Sequence, residues 1–376
     1  MRIGRSVIAV LAVTACAMTV TAIPAAAGDA SGGNGNRDPI KVIAGGLNGP
    51  RQIADGLGNR LFVAEADIGR ISAINTRSGS VTPSVSNLGN GLTQGVDYAN
   101  GKLAIANGGP GPGEPTPEPP AILQSLLTAR PGGTATQFAD LLAYELKKNP
   151  DGQIQFGPDG APLDTLSNPY YVLDDRRGRG FVLVADAGAN AVLAIDKKGK
   201  IKPFFVPRVV TDGNCAQVPN NTPGGIGCDP VPTGLAYGPC NTLYVSTLQS
   251  EVAGEGRVYV LDARSGEVMD VIKGFTAPTG VAVDNRGNVY VSEVLEGAPE
   301  GDGPPPPDFN PSDVGQIVKV SRHGERSYAQ VTMPSGLLFE NGKLYASAWS
   351  IASFLGIPDA GQVVQVNDSA FVPASS

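Results

Sequence analysis

Histidine is almost absent from this 376-residue chain, in which His323 is the only one. It lies in the turn Arg322-His323-Gly324, where we interpret it as a solvent-exposed turn residue. A Ser-His-Asp triad, a histidine general base and a multi-histidine metal site each need an imidazole in the site. Histidine-dependent hydrolases and dehydrogenases are therefore disfavoured, no catalytic residue is assigned, and the sequence weighs against an enzyme.

An excess of positive charge is also missing. The chain has 28 lysines and arginines against 35 aspartates and glutamates, a formal net charge of −7 at pH 7. Nucleic acids and anionic membrane surfaces would be repelled by this charge, so neither is expected as a partner. The expected partner is an unknown small molecule, glycan or protein, and the chain is expected to be a monomer.

Long apolar runs are lacking as well. Residues 7–20 are mostly apolar but too few to span a bilayer, so no membrane span is expected. Arg2 and Arg5 precede this run and three alanines at 25–27 follow it, which predicts a secretory signal peptide over residues 1–27. The protein is then extracellular, with a flexible segment at 28–39 and one domain at 40–376. One alternative is that the segment is an uncleaved anchor. The other is a lipoprotein, because residues 13–16 resemble a lipobox ending at Cys16.

Cysteine is scarce, with four residues in all, one of them in the signal segment. An exported chain would keep Cys215, Cys228 and Cys240, an odd number in an oxidising compartment. A disulfide between Cys215 and Cys228 is favoured, and one between Cys228 and Cys240 is the next alternative. A three-cysteine metal site would need a fourth ligand, and none is identified.

What the sequence does contain is one short unit in six copies. Each copy begins with Pro-x-Gly or a variant of it and continues with a β-run, a turn, a Leu-Tyr-Val-like strand and a Gly-x-Val-x-x-Val-like strand. The copies begin at Pro50, Thr93, Pro169, Pro232, Pro278 and Pro334. Short β-branched and aromatic runs between turn residues are hairpin strands, and this spacing is typical of propeller blades. The predicted fold is an all-β, six-bladed β-propeller.

The two ends of the repeat array favour a closed ring over an open solenoid. The last unit ends near Val366 without an outer strand, whereas residues 40–44 form a lone strand before the first unit. We predict that this N-terminal strand completes the last blade and closes the ring. Closure removes the exposed sheet edge that an open array would leave.

The long insertions are predicted to lie on one face of the propeller. In a four-stranded meander the 1–2 and 3–4 turns share a face, called here the plain face. The 2–3 loops and the connections between blades share the other, called the insertion face. Function usually resides in loops elaborated on a rigid scaffold, although a simple lid over the channel is the alternative. The insertions are residues 108–120, 136–166, 205–230, 248–255, 294–314 and 349–360.

The second insertion contains one predicted short helix. Acidic Asp140 stands near its start, Lys147 and Lys148 near its end, and Pro150 and Gly152 stop it.

Two rings of side chains are predicted at the insertion face. The candidate ligand-binding ring at the channel mouth follows each unit's first residue and comprises Arg51, Gln94, Tyr170, Thr233, Thr279 and Ser335. Trp349, the only tryptophan, is assigned either to ligand stacking beside this ring or to core packing.

The second ring ends each second strand and comprises Glu65, Asn107, Asp186, Thr247, Glu293 and Ala348. Its oxygens could coordinate Ca²⁺ or another divalent ion, but such acids commonly hydrogen-bond the backbone of their own turn. The structural role is favoured, and no cofactor is predicted.

Several of these features resemble a known family. The segment from Asp140 to Gly152, the Ser167-Asn168-Pro169-Tyr170 blade start and the repeated units resemble the ScyD/ScyE family of exported bacterial propellers over essentially the whole mature chain. The resemblance implies a six-bladed propeller and export, and it carries over no functional residues. The units are also similar to NHL and gluconolactonase-like propellers.

The leading hypothesis is a secreted binding or scaffold propeller that recognises its ligand on the insertion face. The alternative is a metal-dependent lactonase or related hydrolase. In that alternative, the metal ligands would be drawn from Glu65, Asn107, Asp186 and Glu293.

Overall fold

The computed structural model describes residues 38–114, 121–175, 180–299 and 305–374. The predicted signal peptide, Cys16 and most of the N-terminal segment lie outside the described residues. The described chain begins with strand β1 (Ile40–Leu47). No helix of the described segments has the length and apolar character needed to cross a membrane.

Blades 1 and 2 are antiparallel four-stranded sheets. Blade 1 contains β2 (Pro50–Asp55), β3 (Arg60–Glu65), β4 (Arg70–Asn75) and β5 (Val81–Val85). Blade 2 contains β6 (Thr93–Ala99), β7 (Lys102–Asn107), β8 (Ser125–Ala129) and β9 (Thr136–Asp140), and it is followed by helix α1 (Leu141–Lys148).

Blades 3 and 4 repeat the same meander. Blade 3 contains β10 (Pro169–Asp174), β11 (Phe181–Asp186), β12 (Ala191–Asp196) and β13 (Ile201–Phe205). Blade 4 contains β14 (Pro232–Tyr237), β15 (Thr242–Thr247), β16 (Gly256–Asp262) and β17 (Val268–Phe275).

The last two blades differ at their outer edges. Blade 5 contains β18 (Pro278–Val283), β19 (Val289–Glu293), β20 (Gln316–Val320) and β21 (Arg326–Ala329). Blade 6 takes β22 (Leu337–Glu340), β23 (Lys343–Ala348) and β24 (Gly361–Val366) from the end of the chain. Short 3₁₀ turns cover Gly213–Gln217, Gln249–Glu251, Pro311–Asp313, Ala352–Leu355 and Asp368–Ala370.

The ring is closed by the start of the chain, as predicted. Strand β1 is the outer strand of blade 6 and pairs antiparallel with β24, with Ile40 opposite Val366 and Val42 opposite Val364. The innermost strands contact one another in blade order, and β22 of blade 6 contacts β2 of blade 1. The six-bladed propeller and its N-terminal closure are therefore confirmed.

One strand was not anticipated from the sequence. After blade 6 the chain returns to blade 5, where β25 (Val372–Pro373) pairs with β21 as a fifth strand. Phe371, just before it, packs against the ring of Tyr290 with ring centres 5.6 Å apart. A two-residue strand is too short to show an alternating pattern in the sequence. The contact between Phe371 and Tyr290 holds it in place.

The hydrophobic core lies between neighbouring blades. Between blades 1 and 2, for example, Phe62 and Ile71 pack with Val96 and Ile105, all fully buried. These residues alternate with others along their strands because side chains of a strand point to opposite faces of the sheet.

Glycine at the third position of most units lets the inner strands approach closely. A Cβ atom at Gly280 would lie 2.2 Å from the carbonyl oxygen of Ser335, and one at Gly336 would lie 2.4 Å from that of Arg51. No side chain fits at such distances. The Pro-x-Gly repeat therefore reflects tight packing around the propeller axis.

All six long connections lie at the end of the propeller where each innermost strand begins. The strand bounds give connections of 107–125, 140–169, 205–232, 247–256, 293–316 and 348–361. The expected one-sided elaboration is therefore confirmed for the topology. One boundary was wrong: residues 136–140 form the outer strand β9, paired with β8, so this insertion begins only at the helix.

Helix α1 lies where the sequence predicted it, and both of its ends are capped. The carboxylate of Asp140 accepts a hydrogen bond from the Ala143 amide, and Asn149 adopts a left-handed conformation at the other end.

A disulfide joins Cys215 to Cys228, as favoured from the sequence, and the next alternative is wrong because Cys240 is free and exposed. The bond closes a loop on the insertion face between blades 3 and 4. Disulfides persist in oxidising compartments, which agrees with the expected export.

Candidate functional site

The predicted ligand-binding ring is present, but its six side chains are buried and bonded to protein. Exposed fractions run from 0% for Thr233 to 7% for Gln94. The Arg51 guanidinium donates to the Gln94 side-chain oxygen at 3.2 Å and to the carbonyl oxygen of Ser350. Ser335 lies two residues before β22 begins, not inside the strand. The ring therefore joins blades to one another.

Two hydroxyls of the ring connect neighbouring inner strands. Thr233 donates to the carbonyl oxygen of Pro278 in the next blade at 2.7 Å, and Thr279 donates to that of Pro334 at 3.2 Å. The same step is therefore repeated from blade 4 to 5 and from blade 5 to 6. Each bond satisfies a buried backbone acceptor near the axis.

Tyrosines of blade 3 cross the channel to blade 6. The hydroxyl of Tyr170 lies 3.4 Å from that of Ser335, and the hydroxyl of Tyr171 donates to the Leu337 carbonyl oxygen at 3.3 Å. Gln52 of blade 1 adds a bridge, donating to the Val172 carbonyl at 2.6 Å and accepting from the amides of Val172 and Val96. Protein side chains therefore occupy the axis at this level.

Gln52 and Tyr171 were missed by reasoning from the sequence. Both occupy the third position of a unit, where four other units have glycine. The missing glycine was the available signal, because a side chain there enters the axis that the other units keep clear.

Trp349 packs against protein while keeping part of its side chain accessible. It contacts the apolar cluster that includes Val294, Val314 and Met333, and its backbone amide donates to the Thr332 carbonyl at 2.8 Å. Its φ of 55° places a non-glycine residue in the left-handed region. The packing role is therefore present, and a stacking role for the accessible part stays a prediction.

In the second ring, Glu65 is the most completely bonded acid. Its Oε1 forms an ion pair with Arg70 at 2.7 Å and accepts from the Ser72 hydroxyl, while its Oε2 accepts from the Asn48 amide at 2.9 Å. Asn48 belongs to the connection that leads into blade 1. The carboxylate thus ties that connection to the blade.

The same role recurs around the ring. Asp186 accepts from the Asn168 amide at 2.6 Å, and Glu293 accepts from the Thr276 amide at 2.6 Å, each in the connection into its own blade. Asn107 donates to the Leu88 carbonyl oxygen at 2.8 Å. Burial raises the pKa of Asp186 to about 6 and that of Glu293 to about 7, although these hydrogen bonds act in the opposite direction. Thr247 bonds within its blade, and Ala348 has no polar side chain.

This ring does not fit the metal set that a lactonase would need. A ligating carboxylate must offer free lone pairs to the ion. The oxygens of Glu65, Asp186 and Glu293 instead accept hydrogen bonds from their own blades. Across the described ranges, no three histidine, cysteine, aspartate or glutamate side chains form a group that could hold a metal by themselves.

A second set of acids, two of them buried and two half-buried, lies between two insertions and was not anticipated from the sequence. This carboxylate cluster consists of Glu145, Asp151, Asp164 and Asp229. Each of its carboxylates accepts from a side-chain amide: Gln155 at 2.9 Å, Asn190 at 3.0 Å, Asn221 at 3.0 Å and Gln153 at 2.7 Å, in the same order. The available sequence signal was the run Asn149-Pro-Asp-Gly-Gln153-Ile-Gln155, in which polar residues alternate after the helix.

Burial disfavours the charged forms in this cluster. It raises the pKa of Glu145 to about 8 and that of Asp164 to about 7, and the neighbouring acids push in the same direction. Burial also raises the pKa of Asp229. Within the described part of the chain, no lysine or arginine forms an ion pair with any member of the cluster.

Gln249 is fully buried, with 0% exposure. Its backbone amide donates to the carbonyl oxygen of Pro230, the residue after Asp229 of the cluster. Neither polar atom of its side-chain amide has a hydrogen-bond partner among the residues that the structure describes. The next residue, Ser250, accepts from the Asp229 amide at 2.8 Å. The connection 247–256 therefore meets the carboxylate cluster at Asp229.

Two surface pockets lie elsewhere. One of about 270 Å³ is lined by Leu57, Arg60 and neighbouring residues of blade 1, near the plain face. The other, of about 370 Å³, lies between the outer parts of blades 1 and 2 and is lined in part by Ser84, Leu88 and Leu127. Neither includes a residue of the two rings or of the carboxylate cluster.

Solved structures share the fold at low sequence identity. A gluconolactonase from Xanthomonas campestris is 12% identical, with a TM-score of 0.53 over 87% of this chain and 89% of the other. A streptogramin B lyase is 11% identical, with a TM-score of 0.50 over 87% and 97%. A virginiamycin B lyase from Staphylococcus aureus, solved with quinupristin, is 12% identical, with a TM-score of 0.50 over 87% and 99%.

No protein-family model matches the chain. No curated protein matches it either. The similarity to solved structures therefore supports the propeller fold and no particular activity.

Proposed function

We propose that the protein is a secreted binding propeller of the ScyD/ScyE type, which recognises a small molecule, glycan or protein on its insertion face. The observation that carries the proposal is the placement of all six long connections at one end of the propeller, while the other end has short turns. Variable loops on a rigid scaffold are a common way to build a binding surface.

The binding surface in this proposal lies above the candidate ligand-binding ring. Tyr170 and Ser335 meet across the axis, so a ligand on this axis contacts the side of the ring that faces the insertions. Trp349 supplies a partly accessible aromatic surface beside blade 6, of the kind that stacks on sugar rings or other apolar planes. Arg51 and Gln94 are buried and bonded to protein, so they support this surface from within the ring.

A two-stage experiment tests this proposal. The purified protein is screened against a glycan array and, by thermal shift, against a library of small metabolites. A ligand found in either screen is then titrated against the variants Trp349→Ala and Tyr170→Phe, with His323→Ala on the plain face as the control. Each variant's melting curve shows whether it is folded.

We expect Trp349→Ala to weaken binding by about tenfold or more, as loss of an aromatic anchor does, and His323→Ala to leave it unchanged. A ligand that binds both insertion-face variants as tightly as the original protein, or that is lost only in His323→Ala, would refute the assignment of the face.

A further inference from the structure

The outer strands of five blades carry one extra residue at the same place in their pairing. In blade 1 this residue is Ser84, which lies between two residue pairs of the β4–β5 ladder and has no residue opposite it. The residues at the same place in other blades are Phe138 in blade 2, Phe204 in blade 3, Gly274 in blade 4 and Ile43 in blade 6. A β-bulge of this kind adds one residue to a strand. The five positions are therefore structurally equivalent, and their side chains can be compared.

Four of the five positions are filled by protein side chains. Phe138, Phe204 and Ile43 each pack against the hydrophobic core between their own blade and the next one. Gly274 has no side chain, but Arg326 of blade 5 covers it and donates to its carbonyl oxygen at 2.7 Å. The fifth position, in blade 1, has only the short side chain of a serine.

Ser84 leaves open a space in blade 1 that an aromatic ring fills in blades 2 and 3. It lines the pocket of about 370 Å³ between the outer parts of blades 1 and 2. The turn of the next blade is in its usual place, because the Gly132 amide donates to the Ser84 carbonyl oxygen at 2.9 Å. Gly199 and Gly266 of the matching turns likewise lie against the carbonyl oxygens of the two phenylalanines. The pocket therefore comes from the small side chain and not from a displaced turn.

The hydroxyl of Ser84 is buried and unbonded. Ser84 is 8% exposed, and its Oγ has no hydrogen-bond partner among the residues that the structure describes. Buried polar atoms are normally bonded, because leaving a buried hydroxyl without a partner costs free energy. A ligand in this pocket can supply the partner.

The other walls of the pocket are apolar inside and polar at the rim. Leu88 and Leu127 are buried, and Ile122 is 39% exposed, so the three form an apolar wall. Asn107 fixes this wall, because its side-chain nitrogen donates to the carbonyl oxygens of Leu88 and Ile122, both at 2.8 Å. The exposed polar side chains of the pocket are Ser86, Asn87 and Thr134.

Charge and size select the kind of ligand. In the described structure no lysine, arginine, histidine, aspartate or glutamate lines the pocket. A charged ligand would lose hydration there without gaining a partner of opposite charge. An apolar cavity of about 150 Å³ holds a benzene molecule, so this pocket has room for one ring and its substituents. Mostly apolar walls with a few polar groups are typical of small-molecule sites.

From these observations we infer that the pocket between blades 1 and 2 binds a small uncharged molecule that has an apolar ring and a hydroxyl group. The ring lies against Leu88 and Leu127, in the space that a phenylalanine fills in blades 2 and 3. The hydroxyl group bonds to Ser84. The inference does not rest on the proposed function, because in the described structure neither Trp349 nor the candidate ligand-binding ring lines this pocket.

Binding of 4-bromophenol to the purified protein tests the inference. The protein is titrated with this compound by calorimetry and thermal denaturation at pH 7, where a phenol is uncharged. Crystals soaked with the compound locate the bromine atom by its anomalous scattering. The matched ligand control is 4-bromobenzoate, which has the same ring and a negative charge.

Two variants close the pocket from opposite sides. Ser84→Phe introduces the side chain that blades 2 and 3 have at this position, and Ala135→Leu narrows the pocket from blade 2. The matched control is Thr82→Phe, a similar change in the same strand, where the side chain is exposed and lines the other pocket. Melting curves show whether each variant is folded.

We expect one molecule of 4-bromophenol to bind with a dissociation constant of about 10⁻³ M or tighter. 4-Bromobenzoate should bind about tenfold more weakly or worse, because its charge has no partner. Ser84→Phe should abolish binding and raise the melting temperature, because it fills the pocket. Thr82→Phe should bind like the original protein. If Ser84→Phe does not fold, Ala135→Leu should weaken binding by about tenfold or more in its place.

Three results would overturn the inference. The first is the absence of binding and of a bromine peak in the pocket up to about 10 mM 4-bromophenol. The second is binding that stays unchanged in the folded variants that close the pocket. The third is binding that is lost in Thr82→Phe but kept in Ser84→Phe, which would move the ligand to the other pocket. None of these results bears on recognition at the insertion face, which the Trp349 and Tyr170 variants test.

Discussion

Glu65 and Glu145 are both nearly inaccessible, with 0% and 3% exposure, yet their surroundings are opposite. Glu65 accepts from Arg70, Ser72 and the Asn48 amide, so its charge is balanced. Glu145 accepts only from Gln155 among the described side chains, and the charges next to it are negative. Glu65 therefore acts as a structural anchor in its blade, whereas Glu145 is a buried acid whose charged form has no balancing partner among the described residues.

The difference follows from where the partners come from. The partners of Glu65 lie within 17 residues of it in the chain, so a single repeat unit brings acid and donors together. The carboxylate cluster is assembled from separate insertions, since Asp229 lies 76 residues from Gln153 and Asp164 lies 57 residues from Asn221. In the blades, the repeat places each acid beside its hydrogen-bond donors. In the insertions, no repeat matches an acid with a balancing partner.

Replacing Glu65 and replacing Glu145 should change the free energy of unfolding in different directions, and the Glu65 variant should show the largest effect of all the variants proposed here. Glu65→Ala leaves Arg70 without its partner and the Asn48 amide unbonded, so it should lower the free energy of unfolding by about 3 kcal/mol. Glu145→Gln should be neutral or stabilising, because a glutamine needs no proton to be buried, whereas burial disfavours the charged form of Glu145.

Urea denaturation measures both values, with Glu267→Ala as an exposed control that should change stability by less than about 0.5 kcal/mol. A destabilisation by Glu145→Gln that equals that of Glu65→Ala would contradict the comparison.

The second-largest effect should be a pH dependence of stability that comes from the carboxylate cluster and not from Glu65 in blade 1. The folded-state pKa of Glu145 is raised from 4.5 to about 8, and that of Asp164 from 3.8 to about 7. The folded state therefore holds more protons than the unfolded state between these values, and the protein should lose stability as pH rises from about 4 to about 8. Each group contributes a slope of up to about 1.4 kcal/mol per pH unit in its window.

Thermal melts across this pH range should show a smaller decline in stability for Glu145→Gln than for the original protein. Asp196 and Asp262, whose pKa values are lowered mainly by backbone hydrogen bonds, act only at more acidic pH. An identical decline in the original protein and in Glu145→Gln would show that Glu145 does not hold its proton as described.

Glu293 is intermediate and should give the smallest effect. Its oxygens accept from the Thr276 amide and from Gln316, both at 2.6 Å, but it has no ion pair in the described structure and burial raises its pKa to about 7. Glu293→Gln keeps one acceptor and should cost about 1 kcal/mol, measured by urea denaturation beside Glu65→Gln. A cost as large as that of Glu65→Gln would mean that the ion pair adds little to the anchor in blade 1.

The fold could be predicted because the repeat is local. Each hairpin carries its own turn residues and alternation, and the missing outer strand near Val366 matched the extra strand at residues 40–44. Strand β25 was missed because two residues carry no pattern and its place depends on contacts such as Phe371 with Tyr290.

The sequence predicted where the candidate site lies, but not how its side chains are buried and hydrogen-bonded. The ring of Arg51, Gln94 and Tyr170 lies where the repeat placed it, yet the sequence does not show that these side chains bond to one another and to opposite blades. The carboxylate cluster was invisible for a different reason. Its acids have ordinary spacing in the chain, and only folding brings them together.

The order of residues by itself determined the six units, the closure by the first strand, the favoured disulfide partner and the face that carries the insertions. Each depends on neighbours in the chain or on the fixed alternation of a meander. The tertiary structure alone decided that Glu65 is balanced and Glu145 is not. The energy of a buried charge depends on what surrounds it in space, and those surroundings come from distant parts of the chain.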